Sequence, residues 1–545
     1  MARRRKNGLT TVALVVLNII VVAVIAVLLW QRFSSQDAPL PPPRAVVPER
    51  PPTTVDWSAF QGAEDPEARC EGCNLLLLSL DIFRPDHLPC WGGRNPMRGH
   101  ICELAEHGVL FDDFIVQAYQ TPIAQMAMFT GRYPSRTGFT HFAATLDADE
   151  PTLPESLQAA GYETVAMGSS FEVMTDMSAS THRGHGFTHP GLNPGISFGR
   201  GFESFVYTGY RNLPTDALPF VQQRAQADRP FFLWLVFGTL HWPYGAAATP
   251  EDRRQYDPEG YAGAFAGLPA PSFPVLSRIY QHKLHQGPRP QPLTALDEAW
   301  INGRYDVGLK MVDDFVGELL AAMPPEQAAN TLVVLHGIHG EDLGEHGYFG
   351  HYDIFDTEVR QKLIVLNPRS RARSGSTVSG PVEGVDLAPT LTDVLGLAPL
   401  TAPRDETLDG TSLRPALLTG EPPDDHGALS ERVPLWEDIF RHLDHMPPGY
   451  VERIRPLLDA DQPKTGDLSL RTDRWKLIHR RARALEAQVS WWTEVSGEPL
   501  ERPEWELYDL KADPTEQVNV AADHPEVLAR LRTELMRRED SLGLQ

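Results

Sequence analysis

Histidines, acids and glycines are concentrated directly after one short apolar run. Residues 332–335 are apolar, and the sixteen positions that follow, 336–351, hold four histidines, three acidic residues and five glycines. Imidazole and carboxylate groups bind divalent cations and transfer protons in enzymes. The apolar run predicts a buried strand, and ligands of open α/β sheets collect where strands end at their carboxyl termini. We therefore expect residues 336–351 to contribute to a catalytic or metal-binding site.

Two further candidate groups stand beside predicted elements. The largely apolar run Asn74–Leu80 is typical of a strand covered on both faces, and it ends at Asp81. Thr121 and Pro122 make a good helix start, with Gly131 as its end. The Thr121 hydroxyl would either cap this helix or attack an anionic ester bound at the helix N-terminus. By itself, an acid after a strand caps a helix more often than it binds a metal.

The other elements that would position these groups are also visible in the sequence. An apolar run at 231–237 predicts a buried strand, and His241 follows it. Apolar residues at helical spacing between Tyr305 and Leu320 predict a helix packed in the core. Residues 362–366 are another strand candidate, whereas 245–299 is rich in proline, glycine and alanine and reads as an insertion near the pocket mouth.

Length, charge and cysteine content narrow the possible classes of protein. A chain of 545 residues predicts one large domain and a smaller one. The formal charge of −23 argues against a nucleic-acid partner, since such partners need a basic face. The four cysteines, at 70, 73, 90 and 102, favour structural disulfides over a zinc or redox site, and three pairings remain open.

The amino terminus predicts a membrane anchor. Basic residues at positions 3–6 precede an apolar run at 9–30, whose 22 residues would span about 33 Å as a helix. A cleaved signal peptide is the alternative, but its apolar region is usually shorter, and the passable cleavage site after Ala26 falls inside the run. We therefore expect a single-pass membrane protein, with residues 1–8 cytoplasmic, a proline-rich linker at 31–72, and the globular part extracytoplasmic, in a periplasmic or extracellular space.

A family resemblance is carried by two motifs. NLLLLSLDIFRPDHLPCWGG, residues 74–93, resembles the opening of sulfatases in the alkaline phosphatase superfamily; Asp81 matches their first metal-binding aspartate and Ile82 stands at the second. QAYQTPIAQMAMFTGRYPSRTG, residues 117–138, resembles the sulfatase signature, with Thr121 at the nucleophile and Gln125 at the arginine. Threonine cannot give formylglycine, but it is the nucleophile of superfamily relatives that act on phosphoric esters.

The resemblance also assigns the remaining site positions. Ser169 and Phe171 stand where sulfatases have a lysine and a histidine, while His241 keeps its position. After the later strand, Ile338 and His339 occupy the place of an aspartate-histidine pair. The resemblance thus implies a divalent metal, zinc or calcium, at Asp81 and His339, and His336 on the same strand exit is a further zinc ligand candidate.

The resemblance extends to the carboxyl-terminal part of the chain. Residues 381–397, 408–413, 471–479 and 506–531 match structural parts of sulfatases that carry no catalytic groups. It implies an α/β fold, with a mostly parallel sheet flanked by helices at 73–400, and a smaller C-terminal α+β subdomain at 401–545, preceded by the transmembrane helix.

Two functions are compatible with these residues. The first is a metal-dependent hydrolase or transferase of sulfate or phosphate esters, in which Thr121 attacks and His241 or His351 stabilises charge or protonates the leaving group. The second is a catalytically inactive binding or scaffold protein of the same fold, which the residues at 125, 169, 171 and 338 favour.

Overall fold

The computed structural model describes residues 53–93, 97, 99–140, 144–170, 197–209, 212–224, 228–270, 293–370, 373–403, 407–423, 427–432, 466–481 and 503–544. The predicted cytoplasmic tail at 1–8 and anchor at 9–30, most of the predicted linker, and Phe171 lie outside these residues. None of the helices in the described ranges has the length and apolar character that crossing a bilayer requires.

The described strands alternate with helices over most of the chain. The strands are β1 Asn74–Leu80, β2 Val109–Ile115, β3 Glu163–Gly168, β4 Ser204–Tyr207, β5 Phe231–Phe237, β6 Thr331–Gly337, β7 Asp342–Leu343, β8 Phe349–Gly350, β9 Arg360–Leu366, β10 Ser376–Glu383, β11 Ala428–Glu431, β12 Leu468–Arg471, β13 Trp475–His479 and β14 Trp505–Asp509. The helices are α1 His100–His107, α2 Thr121–Thr130, α3 Pro134–Thr137, α4 Leu153–Ala159, α5 Leu213–Gln223, α6 Pro250–Gln255, α7 Ala295–Ala321, α8 Pro325–Ala328, α9 Asp356–Val359, α10 Leu387–Val394, α11 Arg414–Thr419 and α12 Pro525–Ser541.

Eight strands form the main sheet, in the order β10, β2, β9, β6, β1, β5, β3, β4. All of them run in one direction except β9, which is antiparallel to both of its neighbours. The predicted mostly parallel sheet is therefore confirmed. The strands predicted at 74–80 and 231–237 are β1 and β5, and they pair directly with each other.

Strand β1 is apolar along its length because both of its faces are covered. Leu75 and Leu77 lie in the core that includes residues of α2 and α10. Leu76, Leu78 and Leu80 lie in the opposite core, which includes residues of α7, α5 and α1. A strand buried on two faces has no solvated side, so its sequence shows an apolar run rather than alternation.

A second, antiparallel sheet of β11, β12, β13 and β14 forms the C-terminal subdomain together with α12. Leu470 and Leu507 of this sheet pack with Leu535 of α12, and the same core includes Ala127 and Val385 of the main domain. The predicted smaller C-terminal subdomain is confirmed, and a shared apolar core joins it to the main domain.

The segment before β1 is tied to the main domain. Val55, Phe60 and Ala68 are buried, so the part of the predicted linker from Val55 onward packs against the domain. One disulfide joins Cys70 to Cys73 and the other joins Cys90 to Cys102, which selects one of the three possible pairings.

Candidate active site

The candidate residues meet at the carboxyl edge of four neighbouring strands, β6, β1, β5 and β3. Asp81 directly follows β1, His339 lies two positions after the end of β6, His241 follows β5, and Ser170 follows β3. Parallel strands end at the same edge of their sheet, so side chains that are far apart in sequence come together there.

Asp81, Thr121 and His339 form a closed triangle of polar atoms. The Thr121 hydroxyl donates to Oδ1 of Asp81 at 2.8 Å and lies 3.0 Å from Nε2 of His339. The same Nε2 lies 3.2 Å from Oδ1 of Asp81. All three side chains are at most 1% exposed. Three predicted site residues are thus brought together, away from bulk water.

The tautomer of His339 follows from its backbone partner. Nδ1 of His339 lies 2.8 Å from the carbonyl oxygen of Gly340, which can only accept a hydrogen bond. Nδ1 therefore carries a proton, and Nε2 is the ring nitrogen that faces Thr121 and Asp81. Gly340 is needed for this turn, because a Cβ at its position would lie 2.0 Å from the carbonyl oxygen of Thr357.

Asp81 is a buried anion with several compensating partners. Burial alone would raise the pKa of Asp81, but the hydrogen bond and the charge of His339, the charge of His241 and the Thr121 hydrogen bond lower it below its ordinary value. Its second oxygen, Oδ2, accepts a hydrogen bond from the Ser170 hydroxyl at 3.0 Å. No motif in the sequence marked Ser170, which lies two positions after the end of β3.

Thr121 is placed by its helix but does not cap it. It is the first residue of α2, and Pro122 occupies the next position, where a missing N–H is harmless. The hydroxyl contacts Asp81 and His339, so the capping interpretation is not what the structure shows. Gly131 ends the helix with φ of 67°, as expected.

The turn after Asp81 has a strained backbone. Ile82 has φ of 46°, and a β-branched residue in this region is strained by about 1–3 kcal/mol. The Tyr305 hydroxyl donates to the Ile82 carbonyl at 2.9 Å and accepts from Arg84 N at 2.7 Å, while Phe83 N donates to the His339 carbonyl at 2.7 Å. These bonds hold the turn, and with it Asp81, in a fixed position.

Two more predicted histidines adjoin the triangle. The ring centroid of His351 lies 4.5 Å from that of His339 and 5.7 Å from that of His241. Nδ1 of His241 donates to the Trp242 carbonyl at 3.2 Å, which leaves Nε2 of His241 as a buried atom without a hydrogen-bond partner among the described residues. The predicted catalytic set Thr121, His241 and His351 is therefore assembled around one site.

The structure does not bring His336 into this cluster. Its Nε2 lies 2.7 Å from the Ser79 hydroxyl, which accepts a hydrogen bond from Trp234 Nε1 at 2.9 Å, and its Nδ1 lies 3.0 Å from the Gly337 carbonyl. Burial lowers the pKa of His336 to about 4. Both ring nitrogens have partners inside the sheet because His336 is still part of β6, whereas His339 lies beyond its end.

Positions 125, 169 and 338, which depart from the family pattern, are neutral and buried. Ile338 is fully buried and belongs to an apolar core. Gln125 is fully buried, and both polar atoms of its amide lack a hydrogen-bond partner among the described residues. Gln125 lies one helical turn after Thr121, on the same face of α2. The hydroxyl of Ser169 accepts from Gly238 N at 3.0 Å and so supports the backbone beside His241.

The donor set decides which metal these residues would suit. Calcium and magnesium take six or more oxygen ligands, and Asp81 is the single carboxylate of the triangle, so these ions do not fit. Among the described side chains, no group of three or more His, Cys, Asp and Glu residues converges on a metal position. A zinc-type ion would have the carboxylate, the imidazole and the Thr121 hydroxyl, which is the three-ligand number of catalytic zinc sites.

Comparisons with known proteins agree on one family. The family model described as Sulfatase matches residues 73–397, more than half of the chain. The N-acetylglucosamine-6-O-sulfatase of Bacteroides thetaiotaomicron is 23% identical over 507 residues, covering 82% of each chain. The multifunctional alkaline phosphatase superfamily protein PehA of Trinickia caryophylli is 23% identical over 515 residues, covering 83% of this chain and 91% of its own.

The same fold is present in solved structures. The phosphonate monoester hydrolase of Agrobacterium radiobacter superposes with a TM-score of 0.61 at 20% identity, covering 86% of this chain and 96% of its own. At this level of identity the likeness concerns the fold.

Proposed function

Because the chain belongs to the sulfatase family, we propose that it is a hydrolase or transferase of sulfuric or phosphoric esters with Thr121 as its nucleophile. The observation that carries the proposal is the position of the Thr121 hydroxyl, at the N-terminus of α2 and in contact with both Asp81 and His339. A buried hydroxyl between a carboxylate and an imidazole is the arrangement of an activated nucleophile.

The chain's own residues account for the first half of the reaction. An anionic ester would bind over the first turn of α2, where the positive end of the helix dipole favours negative charge. Oγ1 of Thr121 forms a bond to the phosphorus or sulfur atom. The hydroxyl proton passes to Oδ1 of Asp81, with which the hydroxyl already forms a hydrogen bond. The bond to the leaving alcohol breaks, and an imidazolium of His241 or His351 supplies the proton that this oxygen needs.

In the second half, a water or an acceptor alcohol attacks the threonine ester. Its proton returns to the imidazole that protonated the leaving group, and the bond to Oγ1 breaks as Oγ1 takes back its own proton. A zinc-type ion held by Asp81 and His339 would polarise the ester and lower the pKa of the threonine hydroxyl. Sulfatase-family members are generally metal-dependent, and this ion is part of the proposal.

The substrate class follows from the neutral groups of the site. Threonine favours phosphoric over sulfuric esters, since formylglycine cannot form at Thr121. Gln125, one turn along α2, offers amide hydrogen-bonding groups without positive charge. Singly charged esters, such as phosphodiesters, would therefore be favoured over doubly charged phosphomonoesters.

The location of the protein is also a proposal. The apolar run at 9–30 would anchor the chain, with the globular part outside the cytoplasm. The two disulfides of the described domain support an oxidising compartment. Protease treatment of intact cells, with the bilayer protecting the cytoplasmic tail alone, tests this arrangement.

The alternative is a binding protein without turnover. The buried apolar side chain of Ile338 and the neutral amide of Gln125 favour it, because both remove charge from the site.

The deciding experiment assays the full chain, purified in detergent, on aryl phosphodiesters, phosphomonoesters and sulfates, with zinc, manganese or calcium added. Turnover that Thr121→Ala abolishes and Thr121→Ser retains supports the proposal. Absence of turnover with every metal, together with binding of inorganic phosphate, supports the alternative. Metal analysis showing no stoichiometric zinc in an active preparation would remove the zinc ion from the proposal.

A further inference from the structure

The C-terminal subdomain reaches the loop that carries His351. This loop runs from the end of β8, at Gly350, to the start of α9, at Asp356. His351 is its first residue, and the His351 ring is the one that lies near both His339 and His241. The place of that ring therefore depends on how residues 352–355 are held.

Inside the main domain, one carboxyl group holds the loop backbone. Oε2 of Glu358 accepts from Tyr352 N at 2.7 Å and from Asp353 N at 2.8 Å. Oδ1 of Asp353 accepts from Ile354 N at 2.8 Å. These contacts fix the path of the loop. The hydrogen bond to the Tyr352 carbonyl and the positive partner of Asp353 come from outside the main domain.

Two arginines of the C-terminal subdomain bind Asp353 and the Tyr352 carbonyl. Arg480, directly after β13, donates from Nη1 to Oδ1 of Asp353 at 2.6 Å. Arg432, directly after β11, donates from Nε to the Tyr352 carbonyl at 3.0 Å. Oδ2 of Asp467 accepts from Nη1 of both arginines, at 3.1 Å from Arg480 and 2.9 Å from Arg432. The two guanidinium groups and the bridging carboxylate thus form one unit.

This unit is buried and closely tied to its own sheet. Arg480, Arg432, Asp353 and Asp467 are each at most 3% exposed. Glu506 of β14 accepts from Nε of Arg480 at 2.9 Å and from Nη2 at 2.6 Å. Buried charges that lose a partner are strongly unfavourable, so the relative position of the loop and the subdomain is well defined.

We propose that Arg480 and Arg432 are positioning residues, through which the C-terminal subdomain fixes the His351 imidazole in the active site. The inference rests on the proposed role of His351 in ester transfer. The Tyr352 carbonyl is the link: it belongs to the residue next to His351, and the Tyr352 ring lies nearly parallel to the His351 ring, at 13° with centroids 6.1 Å apart. A shift of the Tyr352 backbone therefore moves the imidazole.

Arg471 provides a matched control in the same subdomain. It is also buried, its Nε donates to Oδ2 of Asp356 at 2.9 Å, and it pairs with Asp113 at 3.2 Å. Its partners lie outside residues 352–355, at the start of α9 and on β2. Arg471→Met would disturb the contact between the two domains as Arg480→Met does, without releasing the Tyr352 or Asp353 contacts.

The experiment compares full-length Arg480→Met, Arg432→Met, Arg480→Lys and Arg471→Met, each labelled with 13C at histidine Cε1. His351→Asn assigns the His351 signal, which is followed without substrate. We expect Arg480→Met and Arg432→Met to shift this signal and to lower kcat about 10-fold or more, with KM within about twofold. The pH profile should change on the limb that reports the proton donor. Arg480→Lys should recover part of kcat, and Arg471→Met should lower thermal stability while leaving the signal in place.

An unshifted signal in both Arg480→Met and Arg432→Met, or an equal shift in Arg471→Met, overturns the proposal. If Arg480→Met does not fold, Arg432→Met and Arg480→Lys give the same comparison. The proposed function fails separately: a His351 signal that shifts in Arg480→Met and Arg432→Met, with no turnover by the wild-type chain on any ester, supports the positioning and rejects the reaction.

Discussion

The hydroxyl of Thr121 donates a hydrogen bond of 2.8 Å to Oδ1 of Asp81, and this contact joins the first turn of α2 to the end of β1. The two residues are 40 positions apart in the chain. Because His339 reaches the same two atoms from the end of β6, the contact defines the centre of the site.

Replacing Asp81 by asparagine should reduce catalysis much more than stability. The amide keeps one oxygen for Thr121 but lacks the charge that attracts His339 and His241. We expect kcat/KM to fall about 100-fold or more on the best ester found in the substrate screen. Ser170→Ala, which removes only the hydrogen bond to Oδ2, should have a smaller effect. Wild-type rates in Asp81→Asn, with an unchanged melting temperature, would contradict the proposed role.

Placing aspartate at position 338 should create a dependence on calcium. Ile338 is fully buried among apolar side chains, so a carboxylate there without a cation should destabilise the fold by about 3 kcal/mol or more. Added calcium should raise the melting temperature of Ile338→Asp more than that of the wild type. Ile338→Ala should lose about 2–5 kcal/mol without any calcium response. If calcium raises the melting temperatures of Ile338→Asp, Ile338→Ala and the wild type equally, position 338 does not face the cation.

The stability of the fold should fall as the pH rises from 5 to 7. Burial raises the pKa of Glu431 to about 7, despite the hydrogen bonds that Ser135 donates to it. Burial and the charge of Asp386 raise the pKa of Glu383 to about 7, and burial raises that of Asp386 to about 6. Their stabilising contribution is complete below the ordinary carboxyl pKa near 4 and is lost as the pH passes the raised values.

Glu431→Gln isolates one of these groups. Between pH 5 and 7 the unfolding free energy, measured with urea, should fall less steeply with pH in the variant than in the wild type. The two slopes should differ by about 1.4 kcal/mol per pH unit. Glu421→Gln, on an exposed side chain, should leave the slope unchanged. Parallel curves for Glu431→Gln and the wild type would show that Glu431 titrates normally in the folded protein.

The two disulfides should differ in reactivity. Cys90 is exposed, whereas Cys70 and Cys73 are fully buried, so a mild reductant should open the Cys90–Cys102 bond first. Alkylation followed by mass spectrometry identifies the thiols in order of appearance. Cys102 lies 12 positions after Cys90, and losing a loop of this size should cost about 3 kcal/mol of unfolding free energy. Labelling of Cys70 or Cys73 before Cys90 and Cys102 would contradict the expected order of reduction.

The main elements of the fold were predictable because they are local in sequence. β1 and β5 are continuous apolar runs, since both faces of the sheet are covered, and α2 begins with Thr-Pro and ends at Gly131. The family motifs placed Asp81, Thr121 and His339 at the site from their order along the chain. No comparable signal marked Ser170, or the arginines of the C-terminal subdomain.

The tertiary structure decided which side chains meet. His336 and His351 belong to the same histidine-rich stretch, yet β6 still includes His336, whose imidazole bonds to Ser79, while His351 lies beyond the sheet and turns toward His339. Arg480 contacts Asp353 across 127 positions, a relationship that exists only once the antiparallel sheet has packed against the main domain. Residue type and spacing determined the chemistry available to this chain. The packing of four strand ends, one helix and a second sheet determined which of those groups share one site, because side-chain contacts at a few ångströms depend on the path of the whole backbone.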